Sequence, residues 1–308
     1  MQFNDFTNCG IRHIQDPQTF AVSMDQIAYI NALKQMAIPK DQGRVNSDAT
    51  SRIPRKYKRP KGETTQSHLA DEVEVKDTTT TVSLGVYGQC RSLRGAVAYT
   101  LLTRADVSVY VVALQRTTEE NTTWEHVKAL NQVVVYLQSN PQKTVYSHLG
   151  DETCFAAFSD AAFKKEESTG HALKGTVMVR IAMSDGPQGL LPTQKKISCH
   201  VIDYVTKRVR NVTRSTFSAE LFSLCDACDH AMLLRQIVHE FTHGALTADA
   251  ARAMREGSMH SSVQLGMVID AMSVYSAITA NHIKIPAEKS LLSHLQYVRE
   301  LLDRGTIA

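Results

Sequence analysis

The sequence predicts a mixed α/β fold, and three observations carry the prediction. After Gly150, three segments have the apolar patterning of strands. A long helical stretch follows them. A further strand and a last helix close the chain, with no Gly-rich nucleotide loop anywhere in the order.

The elements follow in sequence. Residues 1–40 form a first part. Its segment Phe20–Ile38 places Ile27, Ile30, Leu33 and Ala37 at near-helical spacing, with Ser23 as N-cap and Pro39 as stop. Residues 41–83 are predicted to be a disordered linker. They hold the basic run from Arg52 to Lys61, broken by two prolines, then acids at 71–74 and four threonines. The basic run is a solvated linker on the plain reading and a polyanion contact on the sharper one. Residues 84–150 turn helical over Ser92–Leu101, Asp106–Arg116 and Thr122–Leu137, a small helical layer. Residues 151–308 carry strands at Thr153–Asp160, Gly175–Met183 and Lys196–Lys207. A helix then spans about Ser218–Phe241, a strand Val263–Asp270 and a helix Leu291–Leu302 that Gly305 ends.

Composition excludes several classes. The chain has 308 residues, 43% apolar and 21% charged, which is ordinary globular usage and fits two domains at about 150 residues each. No apolar run approaches the roughly 20 residues of a spanning helix, so no membrane partner is expected. The start lacks a charged segment followed by an apolar one, so no secretory leader is expected. Six scattered cysteines predict reduced thiols in an intracellular protein. A net charge of +3 does not demand a nucleic-acid partner and does not exclude one.

Two constellations carry chemistry. The first is Asp160, Glu220 and Asp270, each at the end of a predicted strand or in the first turns of the long helix. If the two strands are neighbours and the helix crosses them, the carboxylates converge. Clustered acids repel unless a cation neutralises them. Two Mg²⁺ ions about 3.5–4 Å apart do so and also activate water and stabilise a leaving oxygen. Spacing alone does not select this reading over chance placement.

The second is His239-Glu240-Phe241-Thr242-His243, an HExxH match. One helical turn separates His239 and His243, which suits Zn²⁺ with Glu240 as general base of a metallopeptidase. A third ligand is needed. Asp249, Glu256 and His260 are the candidates, and Leu246 stands where one protease pattern has glycine. The competing reading is polar residues on a solvated helix end that Gly244 stops. Cys225 and Cys228 form half a zinc site near His230 and are expected in the core. Tyr99, Tyr110 and Tyr136 are expected to be core aromatics rather than base-stacking platforms.

The segment Tyr87–Ile307 resembles the connection and ribonuclease H portion of copia-type retrotransposon Pol polyproteins. The resemblance rests on Tyr87–Gly95 with Thr103–Asp106, Trp124–Ala129 with Tyr136-Leu137, and Phe158–Phe163 with Ser168-Thr169-Gly170. It continues through Arg214–Glu220, Leu234–Ile237, Ile269-Asp270 and Tyr297–Glu300. Upstream, Cys9-Gly10-Ile11 and Asp25–Ile30 resemble the end of that family's polymerase palm. Each match is short, and their collinearity over about 300 residues makes them specific.

The resemblance implies a ribonuclease H-like mixed sheet with packed helices, preceded by a helical connection layer and a palm remnant. It implies Asp160, Glu220 and Asp270 as catalytic Mg²⁺ ligands cutting the RNA strand of an RNA/DNA hybrid, which requires sensing the 2′-OH. Lys207, Arg208, Arg210 and Arg214, with Lys195-Lys196, are either solvated strand ends or, as the resemblance implies, an approach to hybrid phosphates, and Ser273 would begin a helix beside the third acid. The partners implied are the hybrid and the rest of the Pol polyprotein, in a cytoplasmic particle and/or the nucleus. The chain departs from the family in several places. It holds no YxDD polymerase motif, Phe163 stands for a tryptophan and Ala271 for an asparagine, and the last strand and final acidic ligand are expected beyond Ala308. A fragment truncated at both ends is expected, either nuclease or non-catalytic nucleic-acid-binding relic.

Overall fold

A computed structural model describes residues 4–39, 81–150, 152–162, 172–183, 197–259, 261, 263–282, 286 and 288–308. The fold is mixed α/β and divides into two units, Met1–His148 and Leu149–Ala308. No helix among the described residues is long and apolar enough to cross a membrane. Residues 41–80, Phe163, Ser168–Gly170, the turn at 185–192, Lys195, Lys196 and His260 lie outside the described residues.

The N-terminal unit opens with three antiparallel strands, β1 (Asp5–Asn8), β2 (Ile11–Gln15) and β3 (Val22–Asp25). Cys9 and Gly10 join β1 to β2 with φ of 48° and 72°. Two consecutive positive φ values make the tight hairpin turn whose twist matches its strands, and glycine adopts the second without strain. A short helix, α1 (Ile27–Ala32), follows.

Here the expected helix over 20–38 is corrected. Ser23 is no cap. It pairs with Ile14 on one side and with Val145 of β4 (Thr144–Tyr146) on the other. Those partners are remote in sequence, so helical spacing between 20 and 26 lost to a sheet that local pattern does not report. Residues after α1 run extended from Leu33. Asn131 holds them, accepting from the Met36 N–H at 2.9 Å and donating to the Met36 carbonyl at 2.8 Å.

Three helices follow, α2 (Leu84–Tyr99), α3 (Ser108–Gln115) and α4 (Trp124–Ser139). They bury Val97, Val107, Val111, Leu130, Val134 and Leu137 together. Helix α2 begins eight residues before the predicted start, because Gly85 and Gly88 weaken the local signal that packing overrides. Of the predicted linker, residues 81–83 are described, and Val82 packs in this core. A capping box between Thr123 and His126 starts α4. Arg104 is fully buried, gripping Asp106 through two nitrogens and lying 5.6 Å over the Tyr136 ring. Tyr110 is buried and Tyr99 meets Tyr29 edge-on at 5.2 Å, so all three tyrosines serve packing.

The C-terminal unit is a four-stranded sheet in the order β7-β6-β5-β8. Strands β5 (Thr153–Ala162), β6 (Leu173–Ala182) and β7 (Cys199–Arg208) are antiparallel neighbours, and β8 (Leu265–Ile269) pairs parallel to β5. Between β7 and β8 come α5 (Thr216–His243) and α6 (Ala248–Arg255), and α7 (Met272–Thr279) and α8 (Leu292–Asp303) follow β8. The core joins Phe155, Ala157 and Met178 of the sheet to Leu221, Leu224, Val274, Leu295 and Val298 of the helices. Helix α5 is capped by Ser215, whose oxygen accepts from the Ser218 N–H at 3.1 Å.

Helix α6 was not predicted. It carries both end signals, a Thr247 cap and Gly257 at φ 77°, with Ser258 N–H donating back to the Ala253 carbonyl at 2.9 Å. Gly305 ends α8 in the same way, at φ 64°, as the sequence predicts.

Candidate metal centre

The site is built where the parallel pairing of β5 and β8 stops; β5 itself runs on beside β6 to Ala162, so Asp160 does not close its strand as predicted. Ser159 of β5 pairs with Ile269 of β8, so the next residues, Asp160 and Asp270, stand side by side at one end of the sheet. Helix α5 begins over that end and brings Glu220 from its second turn. Small residues let it come close. Ala219 and Ser223 of α5 and Ala157 and Ala161 of β5 carry little side-chain bulk at the contact. The buried Ser223 hydroxyl locks the two elements, lying 2.9 Å from the Ser159 hydroxyl and donating to the Asp160 carbonyl at 3.0 Å.

One carboxylate oxygen from each of Asp160, Glu220 and Asp270 lies within 4.8 Å of the others. This is the one such group of metal-ligating side chains among the described residues. Glu220 is 4% exposed, while Asp160 and Asp270 face solvent. Burial, then the charges of Asp160 and Asp270, push the Glu220 carboxyl up to about 8. Burial and the neighbouring Asp270 also raise Asp160. The Ala161 backbone N–H favours the ionised forms of both and offsets part of the rise. With so little room, Glu220 holds a proton at neutral pH or exchanges it for a cation. Carboxylate oxygens alone, two of them open to solvent, suit a hard divalent ion that keeps some of its water.

Of the predicted basic residues, Lys207 and Arg208 share this end of the sheet. Ala161 of β5 pairs with Lys174 of β6, which pairs in turn with Lys207 of β7. Lys207, Arg208, Arg210 and Arg214 are all exposed, as is Ser273 in the first turn of α7. Lys174 was missed by sequence reasoning. It is 5% exposed, points to the α5 side and forms an ion pair with Asp226. Burial, then Lys207 and Arg210, lower its ammonium to about 8. The available signal was a lone lysine in an apolar alternating strand.

The HExxH residues do not assemble into a comparable group. His239 and His243 stack with centroids 4.3 Å apart and planes 13° apart. Glu240 accepts from Gln236 Nε2 at 2.8 Å. No third histidine, cysteine or carboxylate joins them among the described residues, and Asp249 and Glu256 do not. Cys225 and Cys228 are buried, and burial pushes the Cys225 thiol up to about 12 and raises Cys228 as well. Such thiols are inert core groups. His230 pairs with Asp203 at 2.9 Å.

Compared with protein-family models, with curated proteins and with solved structures, the chain matches none.

Proposed function

We propose that this chain is the ribonuclease H-like part of a copia-type retrotransposon Pol polyprotein, preceded by a helical connection layer and a palm remnant. Its reaction is Mg²⁺-dependent hydrolysis of the RNA strand of an RNA/DNA hybrid. The observation that carries the reading is the convergence of Asp160, Glu220 and Asp270 from β5, α5 and β8. The collinear residue matches of the sequence support it, because the three acids fall at the positions where that family has its metal ligands.

When bound, Mg²⁺ activates the attacking water and stabilises the leaving oxygen of the phosphodiester. The chain's own residues hold and orient. Asp160 and Asp270 offer oxygens at the solvent side, where a nucleic-acid backbone arrives. Glu220 closes the group from the buried side, and Ser223 fixes the Asp160 backbone. Lys207 and Arg208 lie at the same sheet end, and with Arg210 and Arg214 they contact hybrid phosphates without reading sequence.

The test is cleavage of an end-labelled hybrid by the chain in Mg²⁺, alongside Asp160→Asn. Cleavage by the parent chain that the variant loses, with hybrid binding retained, is the expected result. Undiminished cleavage by Asp160→Asn overturns the assignment. Salt-dependent binding without cleavage by either chain supports the second reading, a nucleic-acid-binding relic, which the exposed cations at this edge favour.

A further inference from the structure

A cavity of about 350 Å³ lies at the far end of α5, between that helix, the end of α6 and the turn after α8. It is separate from the carboxylates. Arg235, on its wall, stands about four turns and roughly 22 Å along α5 from Glu220. Strand β8 starts at the cavity with Leu265 and ends at the carboxylates.

Among the described residues the cavity wall holds two arginines and no acidic side chain. Arg235 is 5% exposed. Its Nη1 donates to the Thr306 carbonyl at 2.7 Å and its Nη2 to the Met254 carbonyl at 3.4 Å, while Nε has no partner. No carboxylate among the described residues pairs with it. The Thr306 hydroxyl, 4% exposed, is also without a partner. Arg304 lines the same space, with its Nη2 3.4 Å from the exposed Glu300 carboxylate. A guanidinium stays charged, and a buried charge without a counterion is costly. Burial accordingly disfavours the charged form of Arg235. Two backbone carbonyls solvate it in part. They leave its charge unneutralised beside an open cavity whose volume lies in the range of small-molecule sites.

We propose that this cavity binds an oxyanion, the phosphate or carboxylate end of a small molecule, with Arg235 as its buried counter-charge and Arg304 as its outer clamp. Ser261 and Gln264 supply neutral hydrogen-bonding groups on the wall. Met254, Met259 and Val263 add small apolar patches to a wall that is mainly polar. The site does not depend on the nuclease reading.

The experiment is thermal unfolding of the full chain without divalent cation at fixed ionic strength, with chloride replaced stepwise by inorganic phosphate or by acetate. A ligand that binds only the folded chain raises the midpoint in a saturable way. The expected result is such a rise with at least one of the two anions, lost in Arg235→Met. In Arg304→Gln, at a half-exposed position that does not endanger folding, the apparent Kd should rise about tenfold or more. A rise with phosphate alone assigns a phosphate monoester, and a rise with acetate as well assigns a broader carboxylate and phosphate site. No saturable rise in the parent chain overturns the proposal. So does an equal rise in Arg304→Gln, which would place the anion at the basic residues of the other end.

Discussion

The two ends of helix α5 each carry side chains of metal-ligating type, and they differ in what joins them. At its C-terminal end, His239, Glu240 and His243 match a zinc pattern by spacing alone. One helix supplies two imidazoles one turn apart without help, and here the rings simply stack. At its N-terminal end no pair of ligands at helical spacing marks a metal pattern. Glu220 is one carboxylate in a capped first stretch of helix, yet it gains two partners from strands on either side of it in the chain. A metal needs three or more donors from convergent directions. A helix face cannot provide that convergence, and the parallel pairing of β5 and β8 can.

The comparison is sharpened first by activity. Asp160→Asn should cut hybrid cleavage by more than the roughly 10–100-fold that loss of an outer-shell partner costs. His243→Ala should leave cleavage unchanged, and equilibrium dialysis should find no stoichiometric zinc in either chain. Zinc that His243→Ala removes would break the comparison outright.

The next effect is on stability against pH. The folded Glu220 carboxyl titrates near 8 rather than its ordinary 4.5, so the folded chain holds a proton that the unfolded chain has released. Without divalent cation, that contribution to stability is full below about 4.5 and is lost as pH rises to about 8. Glu220→Gln should flatten this slope and unfold at a higher midpoint than the parent chain above pH 8. Added Mg²⁺ should raise the parent midpoint most at the alkaline end and leave Asp160→Asn nearly unmoved. A midpoint independent of pH across that window would show that the three acids do not share one environment.

Smaller changes separate structural support from ligation. Ser223→Ala removes the hydroxyl between β5 and α5 and should cost about 1–3 kcal/mol by denaturant unfolding. Gly257→Ala places a Cβ 2.7 Å from the Thr306 hydroxyl at a φ of 77°, and should cost a similar 1–3 kcal/mol or so. His243→Ala, at an exposed helix end, should change stability by less than about 0.5 kcal/mol.

Legibility followed the range of the forces involved. Strands β5, β6, β7 and β8 and helices α5 and α8 lie within a few residues of their predicted bounds, because apolar periodicity and caps are local. Strand β3 was hidden because its partners, β2 and β4, are not local. Helix α6 was passed over although Thr247 and Gly257 mark both its ends. The acids Asp160, Glu220 and Asp270 were each visible as carboxylates near element ends, although β5 runs past Asp160 to Ala162. Ser159, Ser223 and Lys174 were not, since a hydroxyl or amine in an apolar stretch gains meaning only from what faces it.

Sequence alone determined the alternation of strands and helices after Gly150, the glycine stops of α5 and α8, and the residue types able to ligate a metal. Each depends on neighbours within a turn or two of chain. The sheet order, the parallel junction of β5 with β8 and the depth of Glu220 were decided by tertiary packing. Burial and repulsion among three acids exist only once distant segments share one small volume, and that shared volume gathers three carboxylates at the first end of α5 and leaves the other end a helix terminus.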